Sequence, residues 1–348
     1  MKKRKIIILL FVIGIVYFVY SQLFIQPKLV ESNHLELKET FKGHSGDVWE
    51  VKFAPNDTLM VSGGIDPNTK IWNRITGEIL HSLPHKTGSP AVDFNPNGKL
   101  VATGAYDGKV RLWDVNTGEF LKVLDGNEGV VWSVNFSPNG ELIASGSDDN
   151  KVTVWDVNTG IIKYEFKEAT HNIWEVVFNP TGDYLAASGS DNAIRIYNIK
   201  TGKLIKTILG HTMVPLALDF SPNGNLLASA GDDKTIKIWD TKTWELLHTL
   251  QGENEALHSV IFIGNDMVLA GGTDKKTLGE LLEYHFDFTG YTTPIVATLW
   301  DIENETILQT ITDHTDDIGL GMDVSSDGKL IATPNKDKTV KIWEVIKK

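Results

Sequence analysis

From about residue 34 onward, apolar and polar residues alternate over stretches of five or six, broken by short runs of Asn, Gly, Asp and Thr. That period of two is the signature of half-buried strands, and β-branched and aromatic residues fill the apolar positions. The alternation slips at one recurring place. In "VWEVKF" (48–53) Val51 and Phe53 keep step, but Val48 lies three residues before Val51, with Trp49 and Glu50 at the break. "VWSVNF" (131–136) and "IWEVVF" (173–178) repeat the slip at Trp132 and Trp174. An extra residue in a strand predicts a β-bulge, which bends the chain and re-aims a side chain.

A slip that repeats in register points to internal repeats. "FNPNGKLVATGAYDGKVRLWDVNTGE" (94–119), "FSPNGELIASGSDDNKVTVWDVNTGI" (136–161) and "FSPNGNLLASAGDDKTIKIWDTKTWE" (220–245) are three copies of one unit. The closing aromatics Trp72, Trp113, Trp155, Tyr197, Trp239, Trp300 and Trp343 are spaced by 41, 42, 42, 42, 61 and 43 residues. Each unit reads as four strands: one carrying the slip, a "PNG"-type turn, a second, an Asp-rich turn, a third, an "NTG" turn and a fourth.

The period, the Gly43-His44 and Gly210-His211 pairs and the Trp-Asp pairs at 113–114, 155–156, 239–240 and 300–301 make residues 34–348 resemble the WD40-repeat family. The resemblance implies an all-β fold, a seven-bladed β-propeller in which each sheet covers its neighbour. The last unit ends without a fourth strand, and "HLELKETFKGH" (34–44) matches "KLIKTILGH" (203–211). Residues 35–41 are therefore expected to complete the last blade and remove an open edge.

His44, Ser62 and Asp66 look like a catalytic triad, but the same trio returns as His211, Ser229 and Asp233 and as His85, Thr103 and Asp107. Trp72, Trp239 and Trp113 follow at a fixed interval, and His314, Thr333, Asp337 and Trp343 give a looser copy. An active site occurs once, whereas these residues recur, which favours a structural role. The family resemblance implies a hydrogen-bonded clip from Asp through His and Ser/Thr to the Trp nitrogen. Asn127 interrupts it in the third unit and Ala187 in the fourth, where His171 is out of phase; Glu253, Gly271 and Lys275 interrupt it in the sixth.

By the same resemblance Trp49, Trp132 and Trp174 face one end of the propeller, the top, on blades one, three and four. Asp47, Tyr106, Asp148, Asp232 and His258 are expected there too. An insertion at about 275–294 extends a top-face loop of blade six, and its alternation places Tyr284 and Phe286 on one side of a hairpin. Aromatic anchors with an acidic rim suit a protein or peptide partner carrying Lys or Arg.

The N-terminus departs from this pattern. Lys2, Lys3, Arg4 and Lys5 precede an apolar run from Ile6 to Ile25, broken only mildly at Ser21 and Gln22. Twenty helical residues span roughly 30 Å, the hydrocarbon thickness of a bilayer. The expectation is a hydrophobic helix over residues 1–25, then a spacer at 26–33. As an anchor it leaves the N-terminus cytoplasmic and the propeller across the membrane; as a cleaved signal it gives a secreted protein.

Net charge is −12, and setting aside the four N-terminal cations leaves −16, which argues against nucleic acid. The absence of cysteine excludes disulfides and thiolate metal sites. No HxxEH-type spacing, nucleophile elbow or phosphate-binding glycine loop is present, so neither a cofactor nor an enzyme activity is expected. The reading is a non-catalytic, membrane-tethered interaction scaffold. Its rivals are a hydrolase with a funnel metal near Asp148, Asp232, Asp274 and His258, and a small-ligand or glycan sensor.

Overall fold

A computed structural model describes residues 34–252, 256–273, 297–311 and 318–346. Seven four-stranded antiparallel sheets form the blades of a propeller. Blade one runs from its inner strand Val48–Phe53 through Leu59–Gly64 and Asn68–Asn73 to its outer strand Ile79–Pro84. The last blade takes Asp323–Val324, Leu330–Pro334 and Thr339–Val345 from the C-terminal end and its outer strand, Leu35–Lys42, from the start of the described chain. Leu35 pairs with Val345 and Lys42 with Thr339, so ring closure rests on a full antiparallel ladder.

The packing explains why one sheet alone would not suffice. Phe41, Val48, Val51, Phe53, Met60 and Trp72 share a cluster with Ala332, Val340 and Ile342 of the last blade. Ala54, Val61, Ile71 and Leu83 of blade one pack against Val92, Phe94, Val101 and Trp113 of blade two. Each sheet buries both faces against its neighbours, so its third strand is buried along most of its length even where it carries a polar residue such as Lys70, Arg195 or Lys237.

The bulges fall at the predicted slips. Register shifts lie between Val48 and Glu50, Val131 and Ser133, and Ile173 and Glu175, leaving Trp49, Trp132 and Trp174 as the extra residues. Leu216 and His258 take this place in blades five and six. The bulge brings the inner strand close over its neighbour: a Cβ on Gly64 would stand 2.0 Å from the Asp47 carbonyl oxygen, which only glycine allows.

Alternation of strand direction assigns the two ends. The turns between second and third strands share one end with the starts of the inner strands, and hence with the bulged residues. The turns between first and second strands lie at the other end, and so does His34, the first described residue. Among the described residues no helix is long and apolar enough to cross a membrane; residues 1–25 and 26–33, and the hairpin expected at 275–294, lie outside them.

Candidate functional site

The bulges deliver three half-buried indoles to the top end, and the turns beside them decide how each is held. Trp132 donates its Nε1–H to Asp148 at 2.5 Å, and Trp174 donates to Ser190 Oγ at 2.7 Å. The two rings lie 5.0 Å apart with planes tilted by 43°. Tyr106, from the turn of blade two, meets Trp132 edge-on at 5.8 Å. Burial, with the Asp47 carboxylate nearby, raises the pKa of the Tyr106 phenol. Asp47, Tyr106, Trp132, Asp148 and Trp174 are thus brought together across blades one to four.

The aromatic wall differs from the expected one. It joins blades two, three and four, because Tyr106 reaches Trp132 where Pro90 occupies the bulge position of blade two. Trp49 stands apart, with its ring 5.7 Å beneath the Lys336 ammonium of the last blade, a cation–π contact. Asp232 and His258 occupy the same end on blades five and six, both half-buried. Tyr284, Phe286 and Asp274 lie outside the described residues.

The recurring trios divide into two kinds. In blade one, His44 Nδ1 faces Asp66 at 3.1 Å and so carries the proton; Nε2 accepts from Ser62 Oγ at 2.6 Å. Trp72 donates to the same hydroxyl at 2.8 Å. Blade five repeats the chain through His211, Asp233, Ser229 and Trp239. Burial, partly offset by Asp66, lowers the pKa of His44 to about 4, which keeps the ring neutral.

Blade two corrects the sequence reading. Trp113 still donates to Thr103 at 2.9 Å, but both ring nitrogens of His85 are buried without a hydrogen bond. The reason is Arg111, whose guanidinium grips Asp107 in a fork at 3.0 and 2.6 Å. Blades one and five carry Lys70 and Lys237 at that position, and there the aspartate turns to histidine. Blade four has the same fork between Arg195 and Asp191, holding that carboxyl at about 2 despite its burial. The signal was in the sequence: Arg rather than Lys four residues after the turn aspartate. In blade three Ser145 donates to Asn127 at 3.1 Å, and Trp155 points instead to the Asp125 carbonyl at 3.4 Å. In the last blade Trp343 donates to Thr333 at 3.1 Å and Asp337 accepts from the Thr339 amide, while His314 lies outside the described residues.

The sequence reading missed the central channel, a cavity of about 940 Å³ lined by the inner strands and opening among the turns of the other end. The residue before the aromatic of each inner strand, or before Val324 in the last blade, is Lys52, Asp93, Asn135, Val177, Asp219, Ile261 and Asp323, in blade order. The aspartates and the asparagine reach forward to the next blade. Asp323 accepts from the Phe53 amide, Asp93 from Phe136 and Asp219 from Phe262, each at 2.7 Å, and Asn135 from Phe178 at 2.8 Å. Two residues earlier, Glu50 accepts from the Val92 amide at 2.7 Å and Glu175 from Ser133 Oγ at 2.9 Å.

Among the described residues these carboxyls share a single ammonium, that of Lys52. Burial pushes Asp93 and Asp219 up to about 7, and burial together with Glu50 pushes Glu175 up to about 8. Burial raises Glu50 and Asp323 as well. Burial works against the charge on Lys52, but Glu50, Asp323, Asp93 and Glu175 outweigh it and raise its pKa. Among the described residues no three His, Asp or Glu side chains are grouped closely enough to hold a metal ion.

The sheets, the clips and the forward brackets define a closed propeller built from one repeated hydrogen-bonded unit. A family model described as "WD domain, G-beta repeat" matches residues 35–73, 77–114, 118–156, 161–198, 202–240 and 305–344, and the chain belongs to this WD40 family. Blade six, with its insertion, falls largely outside the matched segments. The chain is similar to eukaryotic translation initiation factor 3 subunit I of Phaeosphaeria nodorum, 35% identical over 57 residues, covering 16% of this chain and 17% of that protein. It is also similar to the same subunit from Aspergillus oryzae, 39% identical over 41 residues and 12% of each chain. The chain thus spans less than a fifth of the curated relatives it matches.

Proposed function

We propose that this protein is a non-catalytic scaffold whose top face docks a protein or peptide. The observation that carries the reading is the run Tyr106–Trp132–Trp174, half-exposed, with both indole N–H groups tied down. Large aromatics fixed in place bind with little loss of side-chain entropy. Family membership supports it, and the matched relatives carry the name of a subunit of a multi-component factor. Asp47, Asp148 and Asp232 around the run, with a net charge of −12, suit a partner segment rich in Lys or Arg.

The apolar run at 6–25 behind four basic residues supports a tether, with the propeller on the far side of the membrane from the N-terminus. His34 leaves from the end opposite the aromatic run, so a tethered propeller presents its docking face away from the bilayer.

The test is affinity capture with the full chain, comparing wild type with a Trp132→Ala/Trp174→Ala variant and identifying bound proteins by mass spectrometry. Loss of one discrete, salt-sensitive partner with unchanged thermal unfolding is the expected result. Capture of the same partner at wild-type strength refutes the docking site. Protease shaving of intact cells tests the tether separately: propeller peptides are released if it lies outside.

A further inference from the structure

The junction between the last and first blades differs from the others. Its inner strands are stitched directly, backbone to backbone, by a parallel bridge between Glu50 and Gly321. Val51 N donates to the Gly321 carbonyl at 3.0 Å, and Gly321 N to the Trp49 carbonyl at 2.9 Å. Among the described residues no other pair of neighbouring blades is joined by such a bridge. The approach is close: a Cβ on Gly321 would stand 2.5 Å from Glu50 Cγ. The last blade's inner strand is also the shortest, only Asp323–Val324.

Two channel carboxyls sit at this seam. Asp323 brackets the Phe53 amide, and Glu50 lies beside the stitch with Oε1 3.4 Å from Lys52 Nζ. We propose that the seam is a protonation-controlled latch, shut while the channel carries few negative charges and loosened as its carboxylates ionise.

The charge balance supplies the force. Among the described residues Glu50, Asp93, Glu175, Asp219 and Asp323 face one cation, Lys52, and the inner strands of blades three and six line the channel with the uncharged Val134, Asn135, Ser259 and Ile261. His34, Asp57, Asp266 and Asp327 stand at the open mouth, Asp57 close enough to raise Asp323 further. With Asp93 and Asp219 pushed up to about 7 and Glu175 up to about 8, these three carboxyls gain their charge as pH rises through that range. Raised folded pKa values mean that stabilisation is complete in acid and is lost as pH rises through them. Repulsion acts around the whole ring, and Asp323–Val324, with only two ladder pairs to the next strand of its own sheet, is the described inner strand least held from behind. The Trp49 carbonyl belongs to the stitch, so loosening reaches the top face through Trp49 and Lys336.

Hydrogen exchange on the full chain at pH 6, 7, 8 and 9, corrected for the intrinsic chemical rate, reads the latch at amides 48–53 and 318–324. Protection there is expected to fall about tenfold for each net proton released per pH unit, while Val152–Asp156 of blade three holds. Glu50→Gln and Asp323→Asn keep an accepting oxygen but remove the charge, and should flatten the fall. Asp93→Asn touches neither seam hydrogen bond and should flatten it too, which separates charge from lost contacts. A seam as protected at pH 9 as at pH 6, a fall shared equally by all blades, or a fall unchanged in all three variants overturns the proposal.

Discussion

His44 and His85 occupy equivalent places in blades one and two and are equally hidden, 8% and 7% exposed, yet replacing each with leucine should have unequal consequences. His44→Leu removes the Asp66 contact at 3.1 Å and the Ser62 contact at 2.6 Å. Ser62 keeps the Trp72 N–H but loses the acceptor for its own proton, while Asp66 retains the Ser45 and Asn68 amides at 2.8 and 2.9 Å. One buried hydroxyl proton left unpaired costs about 1–3 kcal/mol, and the lost charge-assisted bond about as much again. After the apolar gain of leucine, the net expectation is a loss of about 2–4 kcal/mol. His85→Leu breaks no hydrogen bond and relieves two buried nitrogens of an unmet need, so stability should stay within about 1 kcal/mol of wild type or rise. Urea unfolding followed by tryptophan fluorescence reads both midpoints. Equal destabilisation by the two substitutions would refute the claim that Arg111 has uncoupled His85 from its clip.

Three further outcomes follow from the same contacts. Arg111→Lys should free Asp107 for His85, making His85→Leu costly in that background; a double-mutant cycle by denaturant unfolding measures the coupling. His44 and His85 are both lowered to about 4, so the unfolded chain takes protons that the folded chain refuses. Their stabilisation is therefore present above about pH 6.5 and lost as pH falls toward 4, up to roughly 3 kcal/mol each, and His85→Leu should remove part of that acid sensitivity in melts across pH. Gly321→Ala should push the Glu50 side chain off the Val92 amide and cost about 1–3 kcal/mol, read as a lowered urea midpoint; an unchanged midpoint would show that Glu50 is free to move.

What local sequence determined is whatever repeats. The slip at Trp49, Trp132 and Trp174 marked the bulges because strand periodicity is a property of consecutive residues. The Asn-Gly turns were equally legible: Gly140 sits at φ +71°, a backbone that glycine adopts without strain. Recurrence likewise marked the His–Ser–Asp trios as structural, and blades one and five form them in full.

Tertiary structure decided how copies that look alike come to differ. His85 keeps the same spacing to Thr103 and Asp107 that His44 keeps to Ser62 and Asp66, and competition with a guanidinium in space left it unbonded. Tyr106 joined the aromatic wall because a turn of blade two reaches the bulge of blade three. The channel is the fullest case. Lys52, Asp93, Asp219 and Asp323 are ordinary alternating polar residues in sequence, each some forty or more residues from the next. Closing seven sheets into a ring brought them around one cavity, where scarce water and crowded like charges gave them a chemistry that none has alone.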